Sequence, residues 1–312
     1  MPRDRSSIHG HIFRAAPVSL EQGRKLLESP AIRIVSEGRR GRLEHIEVDG
    51  VAYARKVYKI TKKSLHGTAV KLLPAFMRWG RVRRSWNAML KGAESGLPIP
   101  RPFVRSENRE SACLVSSWVP GEPLHHWHAR HLHEDSGVEW QILFSRWLGQ
   151  QLFHLFHKGF RTRDLAPNNV MISGDRNGPW SLNIVDLDEA RVGMCPKGES
   201  GVDQVMHSLA QIGHLPPTVS PRIRWRCLIS FLEAGGTTWA DESGEYSTSS
   251  TDFMSRRKSR KKFMRNVQQR IHRFDKRKEE GLLRQGRTAR YAGWGLDDEG
   301  LPVPFDGAKD LS

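Results

Sequence analysis

The sequence has few cysteines and no long apolar segment. Its three cysteines, Cys113, Cys195 and Cys227, lie far apart, which argues against a disulfide framework and against a zinc site. No segment reaches the roughly 20 consecutive apolar residues that a bilayer-spanning helix needs, and the N-terminal residues lack the apolar stretch of a secretory signal. These absences predict a soluble or peripheral protein of a reducing compartment, with the cytoplasm as the simplest choice.

Positive charge is abundant but concentrated in one segment. The 312 residues carry a formal net charge of +16, and residues 255–290 account for +12 of it, with fifteen Lys and Arg against three Asp and Glu. Residues 255–285 could form a charged helix or stay disordered alone. Its composition favours contact with an anionic membrane surface over contact with nucleic acid, because no recognised nucleic-acid module accompanies it. An interfacial helix would use four residues as its apolar side: Phe263, Val267, Ile271 and Phe274.

Alternation of apolar and polar residues predicts a β-rich first half. An Asp49-Gly50 pair between two alternating runs predicts a hairpin turn. A helical pattern occupies residues 60–95, and a short helix is predicted from Leu20 to Leu27. The predicted strands are 32–35, 43–48, 51–58, 103–105 and 112–118.

The second half is predicted to be helical, apart from a small hairpin region at 161–190. Its strongest helix is the apolar pattern from Trp140 to His157. Further helices are predicted at 203–213 and 221–234, and the residues from 236 to 255, rich in Ser, Thr and Gly, read as a linker.

The hairpin region contains oxygen-bearing side chains at an informative spacing. Asp164 stands five residues before Asn169, and Asp186 closes an apolar strand seventeen residues after Asn169. Phosphoryl transfer needs a carboxylate to take the proton of the acceptor hydroxyl, and oxygen ligands that hold Mg²⁺ against the phosphates. Two short strands can bring these three side chains into one small volume, so the spacing predicts a phosphotransferase site.

The chain resembles the eukaryotic-protein-kinase-like superfamily and, within it, the bacterial lipopolysaccharide core kinases that act on heptose and Kdo. Gly96-Leu-Pro98-Ile-Pro100-Arg-Pro102 is similar to the glycine-apolar-proline stretch of that group. Arg163-Asp164-Leu165 through Asn169 stands at its catalytic loop, and Asp203 to Leu209 resembles its aspartate-to-serine-leucine helix. The resemblance extends over about residues 30–235.

The resemblance implies an α+β, two-lobed protein-kinase-like fold with a small β-rich N-lobe and a helical C-lobe. The expected organisation is an N-terminal extension at 1–30, the N-lobe at 31–119, the C-lobe at 120–235, and a linker with a basic tail at 236–312. The implied cofactors are ATP and Mg²⁺.

The hairpin residues acquire roles under this resemblance. Asp164 would be the acceptor-facing base, although alone it could be a helix N-cap or a turn aspartate before Pro167. Asn169 and Asp186 would hold Mg²⁺. Asp188 stands where the family has a glycine or another small residue, and it could add a metal ligand or cap the following turn.

The N-lobe supplies the nucleotide-binding candidates. Lys56, between the apolar neighbours Ala54 and Val57, would bind the α- and β-phosphates. Gly38 and Gly41 would form a turn over the phosphates, or an ordinary β-turn. The family's lysine is usually held by a helical glutamate, and the helix around residues 78–91 has no acid.

Two further groups of side chains invite a functional interpretation. The arginines Arg78, Arg81 and Arg84 could bind an anionic acceptor or form a solvated basic face. Five histidines lie between 125 and 133, but without carboxylate or cysteine companions they favour a polar segment over a metal site.

The sequence therefore predicts an ATP- and Mg²⁺-dependent kinase that phosphorylates a sugar hydroxyl, by resemblance on a lipopolysaccharide core at the cytoplasmic face of the inner membrane. The alternatives are an atypical protein kinase or small-molecule kinase, and a catalytically silent kinase fold that serves as a scaffold. The absent glutamate favours silence. The joint presence of Asp164, Asn169 and Asp186 favours chemistry, because a scaffold has no need for all three.

Overall fold

The computed structural model describes residues 11–15, 17–38, 41–59, 80–108, 111–134, 137–216, 219–236, 253–284, 294–296 and 302–304. Contacts between Cα atoms divide the chain into two units. The first unit comprises Met1–Val119 and Asp186–Arg191, and the second comprises Pro120–Val185 and Val192–Ser312. No helix in these described ranges is both long and apolar enough to cross a bilayer.

The first unit is built on an antiparallel sheet of six strands. The strands are β1 (His11–Arg14), β2 (Ala31–Gly38), β3 (Gly41–Val48), β4 (Val51–Lys59), β5 (Pro102–Glu107) and β6 (Ser111–Ser117). Their order in the sheet is β1-β5-β6-β4-β3-β2. The Asp49-Gly50 pair forms the predicted turn between β3 and β4, with φ of +54° and +74°, so that Val48 pairs with Val51. Two helices accompany the sheet, α1 (Leu20–Glu28) and α2 (Gly80–Glu94).

One face of this sheet packs on α1 to form the core of the first unit. Leu26 and Leu27 of α1 are buried against apolar side chains of the sheet, which fixes the helix there. The predicted helix from Leu20 to Leu27 thus agrees with α1. The sheet residues of this core are Ile46, Val48, Tyr53, Val104 and Val115.

A buried ion pair fixes β4 in this arrangement. Arg55 Nε donates to Glu44 Oε2 at 2.5 Å, and its Nη1 donates to the carbonyls of Leu27 and Ser29 at 2.8 and 2.6 Å. Because successive side chains of a strand point to opposite faces, a β4 that turns Arg55 toward α1 turns Lys56 away from it. The register of β4 therefore sets the direction of Lys56.

Strand β1 lies within residues 1–30, for which the sequence predicts an extension with a short helix and no strand. Its four residues pair with β5 from His11↔Glu107 to Arg14↔Val104. A strand of four residues, His-Ile-Phe-Arg, is too short to show alternation. Its stability comes from the neighbouring strand, where the guanidinium of Arg105 lies 4.1 Å from the centre of the Phe13 ring.

The second unit is mainly helical, as predicted. Helices α4 and α6 approach closely at Gly149, where a Cβ atom would lie 2.3 Å from the carbonyl oxygen of Cys227. Its helices are α3 (Leu124–Glu134), α4 (Val138–His157), α5 (Gly198–Ile212), α6 (Pro221–Phe231) and α7 (Phe253–Arg284). Its short strands include β7 (Glu122–Pro123), β8 (Phe160–Arg161), β9 (Val170–Ser173) and β10 (Ser181–Ile184), with β7, β9 and β10 forming an antiparallel sheet in the order β10-β9-β7.

The basic tail segment forms α7, whose apolar stripe packs on the second unit rather than on lipid. Phe263 and Val267 are fully buried, and the ring of Phe263 stacks on Phe231 with 6.4 Å between centroids. Phe274 contacts the ring of His207 on α5 at 5.3 Å. The prediction that these residues form the apolar side of an interfacial helix is therefore wrong. An apolar stripe at helical spacing needs a partner, and the spacing alone cannot distinguish lipid from protein.

Two predicted segments lie largely outside the described residues. Of the helix predicted at 60–95, the structure describes Gly80–Glu94. Of the linker predicted at 236–255, it describes position 236 and the first turn of α7.

Candidate functional site

The loop that follows β8 carries Asp164 with an exposed side chain. The Asp164 backbone N–H donates to Thr162 Oγ1 at 3.1 Å, and Asn169 Nδ2 donates to the Asp164 carbonyl at 3.2 Å. Asn169 is only 5% exposed, and its amide nitrogen is directed to that carbonyl. Its Oδ1 is thus the atom that can ligate a cation. The structure brings Asp164 and Asn169 together as the spacing predicted.

Helix α5 holds this loop in place through two side chains. Ser208 Oγ donates to the Thr162 carbonyl at 3.0 Å. Gln211 Nε2 donates to the Arg163 carbonyl at 2.6 Å, while its Oε1 accepts from the Leu165 N–H at 2.9 Å. The segment Asp203 to Leu209, which carried the family resemblance, therefore acts on the loop through Ser208. Three backbone groups around Asp164 are fixed by α5.

In the first unit, the predicted nucleotide lysine contacts the predicted metal ligand. Lys56 Nζ lies 2.6 Å from Asp186 Oδ1 and 3.0 Å from Asp188 Oδ1. Asp186 adopts a left-handed backbone with φ of +53° and ψ of +70°, a conformation that Asp and Asn tolerate better than most residues. Its side chain is 43% exposed. The structure thus joins three of the predicted residues around one ammonium group.

Asp188 has contacts that its position in the sequence does not predict. Its Oδ1 accepts hydrogen bonds from Tyr58 Oη at 2.7 Å and from Ser85 Oγ at 2.9 Å, in addition to Lys56. Its backbone carbonyl accepts from Arg84 Nε at 3.0 Å. Asp188 therefore links β4, α2 and the loop that begins at Asp186. The spacing Asp-x-Asp was the available signal, but it does not reveal which atoms would bind the second carboxylate.

These contacts explain why α2 can lack the glutamate that usually holds the lysine in the family. Helix α2 reaches the loop through Ser85 and Arg84, and the lysine receives two carboxylates from the loop itself. A glutamate on α2 is therefore not required to give Lys56 an anionic partner. Asp188 performs that function in the first unit.

The ionisation of this cluster follows from burial and opposite charge. Burial lowers the pKa of Lys56, but the charges of Asp186 and Asp188 outweigh it and raise the pKa above its ordinary value. Burial also opposes ionisation of Asp188, yet the Lys56 charge and three hydrogen bonds hold its pKa below the ordinary value. Burial and the Asp188 charge raise the pKa of Tyr58 well above its ordinary value. At neutral pH Lys56 is therefore an ammonium, Asp188 a carboxylate and Tyr58 a neutral phenol.

Of the two predicted turn glycines, only Gly41 has a steric requirement. Gly41 has a φ of +150°, and a Cβ there would lie 2.0 Å from the carbonyl oxygen of Val57. Gly38 pairs with Gly41 across the hairpin of β2 and β3, and a Cβ on Gly38 would meet no atom of the described residues within 4 Å. Residues 39 and 40 lie outside the described ranges. A role of the two glycines in nucleotide binding stays a prediction.

The arginines proposed to bind the acceptor have varied surroundings. Arg78 lies outside the described residues, and Arg81 is a half-buried residue of α2. Arg84 binds the Asp188 carbonyl and lies 3.6 Å from Glu189. Its guanidinium is thus directed to the protein's own loop, which is a stabilising contact that the sequence did not reveal.

The histidines of α3 are mostly core residues. His125, His128 and His131 are 2–4% exposed, and His128 packs against the Trp140 ring at 5.4 Å. No group of three His, Cys, Asp or Glu suited to a metal ion exists among the described residues. Burial, with the charges of His131 and Arg224, lowers the pKa of His128 to about 4. Burial and the His126 charge lower that of His125 to about 3.

Replacing His128 by leucine is expected to reduce the acid sensitivity of the fold. In the unfolded chain His128 binds a proton below its ordinary pKa of 6.5, whereas in the folded chain it stays neutral down to about pH 4. Its contribution is therefore complete above pH 6.5 and is lost as the pH falls toward 4, at up to about 1.4 kcal/mol per pH unit. The unfolding temperature of His128→Leu should fall less than that of the parent between pH 7 and pH 5.

The control is His133→Leu, at an exposed position of the same helix. This variant should follow the parental dependence of unfolding temperature on pH. Parallel curves for the parent and His128→Leu would contradict the assignment of a neutral buried imidazole.

Comparisons with known proteins identify the fold. No protein-family model matches the chain, and no curated protein matches it. Among solved structures it is similar to WaaP in complex with acyl carrier protein, at 14% sequence identity and a TM-score of 0.50, over 72% of this chain and 89% of that chain. The fold is α+β and protein-kinase-like, with a small β-rich N-lobe and a helical C-lobe. The fold class predicted from the sequence is confirmed.

Proposed function

We propose that this protein is an ATP- and Mg²⁺-dependent phosphotransferase that phosphorylates a sugar hydroxyl, with a lipopolysaccharide core as the acceptor. The observation that carries the proposal is the 2.6 Å contact between Lys56 and Asp186. The two residues are 130 positions apart and were assigned on separate grounds, one to the nucleotide phosphates and the other to the metal. Their contact in one unit supports the proposal, because kinases place a lysine and a metal-binding aspartate around the same phosphates.

The donor atoms of the chain suit a hard divalent cation. Asn169 offers an amide oxygen and Asp186 a partly exposed carboxylate, and Mg²⁺ prefers such oxygen ligands with several waters retained. Bound Mg²⁺ would neutralise phosphate charge in the transition state. Asn169 and Asp186 are the residues that would hold it.

The remaining steps belong to the side chains of the protein. Asp164 would accept the proton of the acceptor hydroxyl, from a loop whose backbone is fixed by Thr162, Asn169 and α5. Lys56, protonated at neutral pH, would donate hydrogen bonds to phosphate oxygens. Catalysis would thus depend on positioning and on charge neutralisation.

The lipopolysaccharide acceptor rests on the resemblance of the catalytic loop and of α5 to the core kinases. Such an acceptor is carried by a membrane, and the exposed basic side of α7 would favour peripheral contact with anionic headgroups. The apolar stripe of α7 is buried in the second unit, so this contact would be electrostatic and sensitive to salt.

A catalytically silent fold is the alternative that the absent helical glutamate favours, and an atypical protein or small-molecule kinase is the other. The contacts of Asp188 weaken the argument for a catalytically silent fold, because Lys56 has anionic partners without that glutamate. A protein acceptor or a small-molecule acceptor would use the same Asp164, Asn169 and Asp186.

A nucleotide-binding assay joined to a transfer assay separates these possibilities. ATP with Mg²⁺ is expected to raise the unfolding temperature, since a ligand at 100 times its Kd stabilises a protein by about 2.7 kcal/mol. The γ-labelled phosphate is then followed into deacylated core saccharides, proteins and aminoglycosides. Label in the saccharides supports the proposal, and label only in another acceptor supports the corresponding kinase. Absence of both the Mg²⁺-dependent shift and the label would identify a silent fold.

A further inference from the structure

Helix α7 carries a recess lined by arginines. Arg270, Arg273 and Arg277 are spaced by three and four residues, so they lie on one side of the helix. Together with Phe274 and with His207 of α5 they line a cavity of about 130 Å³, which we call the arginine recess. Cavities that bind whole small molecules usually measure about 300–1,000 Å³. The arginine recess is therefore suited to one small group.

The arginine recess lies beside the loop that carries Asp164. His207 hydrogen-bonds the backbone of Arg163, the residue directly before Asp164. The next residue of α5, Ser208, binds the carbonyl of Thr162 on the same loop. One turn of α5 therefore contacts both the arginine recess and the predicted catalytic loop, and all of these residues belong to the second unit.

The charge of the arginine recess is strongly positive. Burial lowers the pKa of His207, and the positive charges of Arg270 and Arg163 add to this effect. Arg270 is partly neutralised by Asp203, at 2.5 Å. Among the described residues, Arg273 and Arg277 form no ion pair. Two guanidinium groups thus line a space of single-group size, an arrangement suited to bidentate binding of phosphate.

We propose that the arginine recess binds a phosphate group that the acceptor saccharide already carries. The inference rests on the proposed function and makes it more specific: the substrate is a sugar that bears a phosphate near the hydroxyl to be phosphorylated. Arginines of α7, a segment outside the sequence resemblance, then orient the acceptor toward Asp164. Arg273 and Arg277 are positioning residues for this substrate.

An anionic membrane surface could supply the same phosphate chemistry, but two observations favour the saccharide. The arginine recess is concave and has the size of one group, whereas a bilayer presents many headgroups to a broad surface. It also adjoins the loop of Asp164 through His207, where a headgroup has no part in the reaction.

The test compares two double variants of the full chain. Arg273→Ala/Arg277→Ala removes two arginines of the recess. Arg222→Ala/Arg226→Ala removes two arginines at the same spacing from α6 in the same unit. The probe is a deacylated lipopolysaccharide core that retains its phosphates, used before and after phosphatase treatment. Binding is measured by calorimetry without ATP, and KM and kcat by transfer of γ-labelled phosphate.

The recess variant is expected to weaken binding of the phosphorylated probe and to raise its KM by about tenfold or more. Its kcat and its KM for ATP should stay close to the parental values, and so should every constant of the α6 variant. After phosphatase treatment the parent and the recess variant should bind the probe equally. Because the calorimetry does not involve turnover, loss of binding in an inactive protein would still support the arginine recess while refuting the kinase.

Several results would overturn the inference. One is that both the parent and the recess variant are active and have the same KM for the phosphorylated saccharide. This result would contradict the arginine recess but not the proposed function. A second is an equal loss in the recess and α6 variants, which would indicate general electrostatic attraction. A third is a recess variant that loses binding to phosphatidylglycerol vesicles but retains saccharide binding, which would assign the arginines to the membrane.

Discussion

Replacing Asp164 by asparagine is expected to lower kcat by about 10²- to 10⁴-fold, the usual contribution of a general base. Asparagine has the shape of aspartate but cannot accept the proton of the acceptor hydroxyl. The loop should keep its conformation, because the structure holds it through the Asp164 backbone, which contacts Thr162 and Asn169. The measurement is transfer of γ-labelled phosphate, together with calorimetry of ATP binding, which should change little.

The matched control for this variant is Asp175→Asn, since Asp175 is an exposed aspartate of the same unit. It lies in the turn after β9 and has no role in the proposed reaction. Its kcat should equal that of the parent. Parental turnover in Asp164→Asn would show that another group accepts the proton.

Replacing Asp186 by asparagine is expected to abolish the Mg²⁺-dependent part of ATP binding and to lower kcat by about 10³-fold or more, because several kcal/mol of charge stabilisation would be lost. Asparagine is the appropriate substitute because Asp186 has a φ of +53°, which asparagine also adopts. The variant removes charge without straining the turn. Thermal shift with ATP, with and without Mg²⁺, is the first measurement, and turnover is the second.

Asp49 provides a close control for this substitution. It is an exposed aspartate of the first unit with a φ of +54°, at the turn between β3 and β4. Asp49→Asn therefore tests the same change of charge at the same backbone conformation. It should retain the Mg²⁺-dependent shift, whereas an unchanged shift in Asp186→Asn would remove that residue from the metal site.

The elements that could be predicted from the sequence are those whose signal is local. Alternation placed β3 and β4, and the Asp49-Gly50 pair specified the turn that joins them. The apolar pattern from Trp140 to His157 placed α4, which begins two residues earlier at Val138. In each case hydrophobic periodicity and turn chemistry agreed with the final environment of the segment.

The elements that could not be predicted depend on partners distant in sequence. Strand β1 forms because β5 provides backbone partners for antiparallel pairing. The apolar stripe of α7 is visible in the sequence, but Phe263 packs against Phe231 rather than against a bilayer. Sequence patterns identify a face that requires cover, and the tertiary fold decides what covers it.

The candidate site shows the same difference between contacts that are local in sequence and contacts between distant residues. The spacing of Asp164 and Asn169 is local, and the structure joins them by a hydrogen bond. The contacts of Asp188 with Tyr58 and Ser85 join residues more than 100 positions apart. Neither serine nor tyrosine carried a signal on its own, and only the fold reveals them as partners.

One oxygen atom, Asp188 Oδ1, gathers donors from a strand and from a helix: Lys56, Tyr58 and Ser85. A regulator that pulled α2 outward would withdraw the Ser85 hydroxyl from this oxygen. The orientation of Asp188 would then be less constrained and, under the proposed function, the position of the Lys56 ammonium against the nucleotide phosphates would change. If the proposed function holds, inhibition would be possible from the far side of a helix, without any molecule competing for the proposed ATP site.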